Sequence, residues 1–217
     1  MKFMVEIYIS EIHGLMPSSL WEHYFSLLPE SEQIRNKRYL RWQDKHAHLF
    51  GKLLLQNALI KYGFSNNILS HLQFNDHNKP FIDDNINFNI SHSGKYIVCV
   101  ISREIKLGVD LEQKTSQVNP DDFKEVFSQA EWECLKNVEG KLDLFYKLWT
   151  RKESVIKANG SGLAIPLYKV DVLSESVMIE GQTWFISDLD LDSNYSASLA
   201  TSYKGCPVSF TPVNFYT

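Results

Sequence analysis

Residues 107–112 read LGVDLE, a run that has the character of a buried strand yet carries two acids. Side chains alternate faces along a strand, so Leu107, Val109 and Leu111 take one face while Gly108, Asp110 and Glu112 take the other. Alternate Cα atoms stand roughly 6.5–7 Å apart, near enough for two carboxylates to converge on one ion. Left unpaired, like charges at that spacing raise each other's pKa and weaken the strand. Positive charge is therefore expected opposite them. Hard oxygen donors in this number, with room for water and a phosphate, suit Mg²⁺ better than a calcium cage. The D-x-E spacing alone is equally met by a solvated acidic face or by lysine partners.

Working outward, Tyr96 to Ile101 is a continuous β-rich apolar run, and Arg103 to Lys106 is the turn between it and LGVDLE. Phe81-Ile82 and Phe88–Ile90 read as short strands around Asp83-Asp84-Asn85, and a meander of these strands is expected. At the N-terminus Phe3, Val5, Ile7 and Ile9 alternate as in a half-buried strand. Met16-Pro17-Ser18 leads into a helix stopped by Pro29, and a longer helix is expected from about Glu32 to Tyr62, with Gly51 a close packing point and Gly63 its C-cap. Asn119-Pro120 opens another helix. Ser128 and Glu131 have capping-box spacing, flanked by Phe127 and Trp132 as a staple. Leu142 to Ala158 is helical by pattern and closed by Asn159-Gly160, and further strands are expected at 168–173, 183–187, 195–201 and 207–213. The order of elements points to an α+β fold of two similar halves, residues 1–103 and 104–217.

A chain of 217 residues, 44% hydrophobic and 13% aromatic, can fill a real core. Its net charge of −4 argues against a nucleic-acid binder, since any polyanion site must be a local patch. Such a patch exists: residues 35–52 hold Arg35, Lys37, Arg38, Arg41, Lys45 and Lys52 against Asp44. Cys99, Cys134 and Cys206 are widely spaced with no CxxC, which fits reduced thiols in a cytoplasmic protein. Glu6 interrupts the first apolar stretch, so no export signal is read there, and no run reaches the roughly 18 apolar residues of a membrane span.

Three more stretches carry chemistry. In WTRKESVIK, residues 149–157, Phe145, Trp149 and Ile156 mark an apolar side and Glu153 falls one turn after Trp149; a surface Glu153–Lys157 pair is the plainer reading of that spacing. NISHSG, residues 89–94, sets Ser91, His92 and Ser93 at the end of a strand, where small donors and an imidazole can cradle phosphate or simply face water. Lys79 before Pro80 is held extended.

Asn78-Lys79-Pro80, Asn89 to Ser93, Gly108 to Glu112, Phe127 to Glu131 and Trp149 to Lys157, in this order, resemble the Sfp-type 4′-phosphopantetheinyl transferases, across about residues 32 to 165. The resemblance implies two halves related by a pseudo-twofold, each a small antiparallel sheet packed with helices, with coenzyme A in the cleft between them. It implies Mg²⁺ held by Asp110, Glu112 and Glu153, phosphate contacts from Ser91 and His92, and an approach of Lys79 and Pro80 to the adenine or its phosphate. Arg35 would meet the 3′-phosphate, and Lys152 and Lys157 the diphosphate. Glu153 is the expected base for the acceptor serine, Lys157 the acid for the leaving 3′,5′-ADP, with Asp110 indispensable to turnover. The partner implied is an apo acyl or peptidyl carrier protein, docking on apolar contacts such as Phe123 or Phe127, and the enzyme is expected to be a cytoplasmic monomer with no nucleic-acid or membrane partner. Glu32, where a basic residue is common, and Ala47 and His48, where Arg and a hydroxyl residue are sometimes seen, depart from the pattern. A Mg²⁺-dependent phosphodiesterase and a catalytically silent coenzyme A or nucleotide-binding module are the rival readings.

Overall fold

The computed structural model describes residues 4–82 and 85–217; Phe3 of the expected first strand and Asp83-Asp84 of the expected turn lie outside these. In chain order the elements are β1 (Val5–Glu11), α1 (Ser18–Ser26), α2 (Glu30–Lys37), α3 (Trp42–Lys61), β2 (Gln73–Phe74), β3 (Pro80–Phe81), β4 (Ile86–Ser93), β5 (Tyr96–Arg103), β6 (Leu107–Gln113), α4 (Gln129–Lys136), α5 (Lys141–Asn159), β7 (Ser176–Ile179), β8 (Gln182–Asp188), β9 (Tyr195–Thr201) and β10 (Val208–Pro212). Two four-stranded sheets form, in the orders β10-β1-β5-β4 and β6-β9-β8-β7, with β2 and β3 as a separate small pair.

Burial explains how these layers stack. Val5, Ile7, Val98 and Val100 of the first sheet meet Leu107, Val109, Leu111, Ala197 and Leu199 of the second in one core. The opposite face of the first sheet buries Tyr8, Phe88, Ile97 and Cys99 against Leu49, Phe50, Leu54 and Leu55 of α3. Trp184, Ile186 and Ala200 do the same for the second sheet against Phe145, Leu148, Val155 and Ile156 of α5. The result is a four-layer α/β/β/α stack, a mixed α+β fold. No helix among the described residues is long and apolar enough to cross a membrane.

Several expectations change in the fold. The meander ends at β5, because β6 leaves to pair with β9 in the second sheet; the alternate apolar residues of β6 are buried by facing the first sheet rather than by extending it. The first sheet is not purely antiparallel, since β10 joins β1 in parallel after the second sheet is complete. The long helix expected from about 32 to 62 is two helices. Glu32 bonds His48 and Lys52 of α3 at 2.9 Å, whereas 16 residues of continuous helix would separate residues 32 and 48 by about 24 Å, so the chain folds back at Arg38–Arg41. The segment opened by Pro120 is 3₁₀, not α. No strand forms at 168–173: the Val170 carbonyl is taken by the Lys152 ammonium and the Val172 N–H by Glu131, so side chains replace a ladder there. The edge strand β7, Ser-Val-Met-Ile, was not anticipated, four residues being too few to show a strand period.

The capping box forms as expected, with Ser128 Oγ accepting from Glu131 N at 3.2 Å and Glu131 Oε2 accepting from Ser128 N at 2.7 Å. Gly160 closes α5 with φ of 83°, a conformation that glycine adopts without steric cost.

Candidate active site

Three elements converge where the edge strands of the two sheets, β4 and β6, meet α5. β6 turns Gly108, Asp110 and Glu112 toward α5, and α5 presents Trp149, Glu153 and Lys157 at i, i+4 and i+8, one stripe of a helix. Gly108 makes the approach possible: a Cβ at that position would overlap Ala158 N and Ser154 O, backbone atoms of α5. From the first sheet, β4 brings Ser91, His92 and Ser93 to the same place. A pocket of about 350 Å³ is lined by Ser91, His92, Asp110, Glu112, Trp149, Glu153 and Lys157.

Asp110 is 3% exposed. Its Oδ1 accepts from Lys157 Nζ at 2.5 Å and from Ser91 Oγ at 3.0 Å, while Oδ2 is buried with no hydrogen-bond partner. Burial raises the Asp110 pKa against the opposing pull of Lys157 and Ser91. Burial also raises Glu112, helped by the charges of Asp110 and Glu153 and opposed by Ser93 and Lys157. Glu153 is raised by burial and then by Asp110. The three acids therefore sit in one another's field, which is the opposing positive charge's reason for being there. Among the described residues no three His, Cys, Asp or Glu side chains form a ready-made metal cage. The donor set nevertheless fits a hard divalent cation: three carboxylates around one pocket, one of them with an unsatisfied buried oxygen.

Two further cavities share lining residues with this pocket. One of about 250 Å³ shares Glu153 and Lys157 and is walled by Asn78, Lys79, Pro80 and Asn89. The other, about 380 Å³, shares Glu112 and Trp149 and is lined by Val118, Phe123 and Phe145. Both therefore border residues of the central pocket, and the second is an apolar groove.

Comparison with known proteins now bears on the site. Residues 106–204 match the family model of the 4′-phosphopantetheinyl transferase superfamily, and residues 16–104 match that of the 4′-phosphopantetheinyl transferase N-terminal region. A 4′-phosphopantetheinyl transferase of Bacillus subtilis is 33% identical over 201 residues, which cover 86% of this chain and 88% of its own. The chain belongs to the 4′-phosphopantetheinyl transferase family. The 4′-phosphopantetheinyl transferase Sfp of Bacillus subtilis strain 168 is 27% identical over 208 residues, 89% of this chain and 91% of that one. The solved holo-[acyl-carrier-protein] synthase of Thermotoga maritima overlaps 44% of this chain and 61% of its own, with a TM-score of 0.35 and 14% identity.

Within this transferase the expected site residues separate into groups. Asp110, Glu112, Glu153, Lys157, Ser91 and His92 come together in the central pocket. Ser91 does so in another role than phosphate contact: it is 6% exposed, donates to Asp110, and accepts from Leu111 N and Lys157 Nζ, which uses its whole hydrogen-bonding capacity. His92 stands exposed at the pocket mouth; the protein packed around its ring and then Lys157 hold its pKa below the usual value, with Asp44 and Asp110 opposing.

Lys152 departs from expectation. Its side chain is wholly buried, with Nζ at 2.6 Å from Glu131 Oε2 and bonded to the carbonyls of Leu167 and Val170 at 3.0 and 2.6 Å. It points into the core beneath α5, so it cannot hold a diphosphate. Lys79 and Pro80 wall the 250 Å³ cavity, but the Lys79 ammonium is committed to the C-terminal carbonyls of α5, Lys157 O at 2.7 Å and Ala158 O at 3.1 Å. Burial, then Lys106, brings its pKa down to about 8.

Arg35 stands exposed on the last turn of α2, outside the lining of the three cavities described. Glu32 and His48, two of the three departures from the family pattern, bond each other, and Glu32 also pairs with Lys52. Asn36 Nδ2 lies 3.1 Å from His48 Nδ1, which leaves the Nε2 proton for Glu32. The cleft residues whose roles sequence reasoning missed are Asn89 and Ser93; their signal is the polar i, i+2, i+4 alternation Asn89, Ser91, Ser93 along β4.

Proposed function

We propose that the chain transfers the 4′-phosphopantetheine group of coenzyme A to a serine hydroxyl of an apo acyl or peptidyl carrier protein, in a Mg²⁺-dependent reaction that releases 3′,5′-ADP. The observation that carries this reading is the convergence of Asp110, Glu112 and Glu153, all of raised pKa, with Lys157 on one pocket. The cavity that shares Glu153 and Lys157 and the apolar groove that shares Glu112 and Trp149 support it further.

Asp110, Glu112 and Glu153 would hold the Mg²⁺, which when bound supplies the positive charge that neutralises the diphosphate and the charge gathering on it during transfer. The chain's own residues do the rest. Glu153, its basicity raised by burial and Asp110, takes the proton of the attacking serine. The serine oxygen bonds to the β-phosphorus as the bond from that phosphorus to the bridging oxygen breaks. Lys157, whose side chain is 28% exposed and so retains room to move, turns from Asp110 to the departing oxygen and gives it a proton. His92 meets the phosphates at the pocket mouth, Pro80 and Lys79 wall the nucleotide, and Arg35 meets the 3′-phosphate. The carrier approaches along the groove lined by Val118, Phe123, Phe145 and Trp149. Phe127 is 5% exposed beneath Lys152, so docking falls to Phe123.

The same reading takes residues 1–103 and 104–217 as two functional halves around the cleft, with β10 returning to the first sheet. Because one chain carries both walls of the cleft, it is read as a monomer, and its three free cysteines suit a reducing cytoplasm.

The test is mass spectrometry of candidate apo carriers incubated with coenzyme A and Mg²⁺. The expected result is one added phosphopantetheine arm, abolished by EDTA, and a Glu153→Gln variant that stays folded while kcat falls by about 10²–10⁴-fold. Near wild-type turnover in that variant would remove Glu153 from its role, and cleavage of coenzyme A without a carrier would make the protein a phosphodiesterase.

A further inference from the structure

β4 and β6 are edge strands of different sheets, and they run side by side across the cleft without a backbone ladder. Alternate β4 side chains take the place of the missing carbonyls. Val109 N donates to Asn89 Oδ1 at 3.0 Å, Leu111 N to Ser91 Oγ at 3.3 Å, and Gln113 N to Ser93 Oγ at 3.0 Å. An acceptor oxygen is all that stitching requires, and an amide oxygen supplies it at the first rung, where β6 carries Gly108.

The other two rungs use hydroxyls, which accept and also donate. Their protons go to the acids that precede each donor: Ser91 Oγ to Asp110 Oδ1 at 3.0 Å and Ser93 Oγ to Glu112 Oε2 at 2.7 Å. Hydroxyls thus stand where β6 carries a carboxylate, and an amide where it carries none. For Ser91 the arrangement is reinforced by Lys157 Nζ at 3.1 Å. For Ser93 the whole donor capacity is spent on Glu112.

We infer that Ser93 is a positioning residue that sets the Glu112 carboxylate for the cation, with Ser91 acting likewise on Asp110. This deepens the Mg²⁺ reading above and rests on it. A partner that orients a ligating group is commonly worth about 10–100-fold in metal affinity. Removing the Ser93 hydroxyl leaves Glu112 free to rotate and Gln113 N without an acceptor, while its small volume limits the effect on packing.

The experiment titrates Mn²⁺ into the full-length protein, with and without coenzyme A, and follows protein-bound Mn²⁺ by electron paramagnetic resonance, alongside thermal melts. Ser93→Ala is expected to weaken Mn²⁺ binding about tenfold or more, with Ser93→Thr restoring it, and to raise the Mg²⁺ concentration for half-maximal transfer without a matching change in KM for coenzyme A. If wild type binds Mn²⁺ and Ser93→Ala binds it within twofold, or Ser93→Thr recovers nothing, the inference is overturned and the Mg²⁺ reading stands. If wild type binds no Mn²⁺ in either condition, the Mg²⁺ reading falls and this inference with it. Should Ser93→Ala fail to fold, Ser93→Cys keeps the size with a poor donor; it is expected to show the same weakening, and unchanged binding there also overturns the inference.

Discussion

Replacing Lys152 with methionine separates a structural lysine from a ligand-binding one. In the native protein the Lys152 ammonium is fully buried, ion-paired to an equally buried Glu131 at 2.6 Å and bonded to two carbonyls. Burial pushes its pKa down and Glu131 pulls it back up. Methionine matches the length but leaves the Glu131 carboxylate with only Ser128 N and Val172 N as donors, takes the ammonium from the Val170 carbonyl, and leaves the Leu167 carbonyl with Val170 N alone. Removing one partner of a buried ion pair costs about 3–5 kcal/mol. At about 2–4 °C per kcal/mol for a chain of this size, the midpoint should fall by roughly 6–20 °C. Circular dichroism melts and urea titrations measure the loss. Glu131→Gln added to Lys152→Met should recover part of it, because the uncompensated charge is gone. Well below its melting point the single variant should keep its KM for coenzyme A within about twofold, since the ammonium does not reach the cleft. A melt within about 1 °C of wild type together with a large rise in that KM would refute the reasoning and return Lys152 to the diphosphate.

Two other predictions follow from the same packing. Gly108→Ala places a methyl against the α5 backbone; overpacking that cannot be relieved by side-chain movement should cost about 1–3 kcal/mol and, by moving Glu153 and Lys157 off β6, lower kcat in protein that still folds, so an unchanged melt would contradict the close approach. Burial alone would raise Glu32, but the His48 hydrogen bond and Lys52 overcome it and hold the pKa at about 2, against 4.5 unperturbed. A depressed folded-state pKa means stability that is present above about pH 4.5 and lost as pH falls toward 2. The stability gap between wild type and Glu32→Gln should therefore shrink over that window, and a gap independent of pH would exclude the pairing.

Local patterns carried much of this protein. The two-residue period of β6 put Asp110 and Glu112 on one face, the helical period of 149–157 aligned Trp149, Glu153 and Lys157, and the Ser128–Glu131 spacing announced a helix start; each depends only on backbone geometry within a few residues. The resemblance carried Lys152 to the diphosphate beside Glu153, but a motif does not record that the side chain turns the other way, into a core made with residues 127, 131, 167 and 170. The fold-back between α2 and α3 had no glycine or proline to mark it, being held by Glu32 reaching residues 16 and 20 positions away.

What the sequence by itself determined is therefore which residues share a face of a strand or helix, and through its motifs the family. Only tertiary structure decided which faces meet: that β6 leaves β5 for β9, that β4 is stitched to β6 through side chains, and that the Ser91 hydroxyl is fully used by Asp110, Lys157 and a backbone N–H. The physical reason is that burial and hydrogen-bond capacity are settled by partners distant in the chain, and no local period records who those partners are.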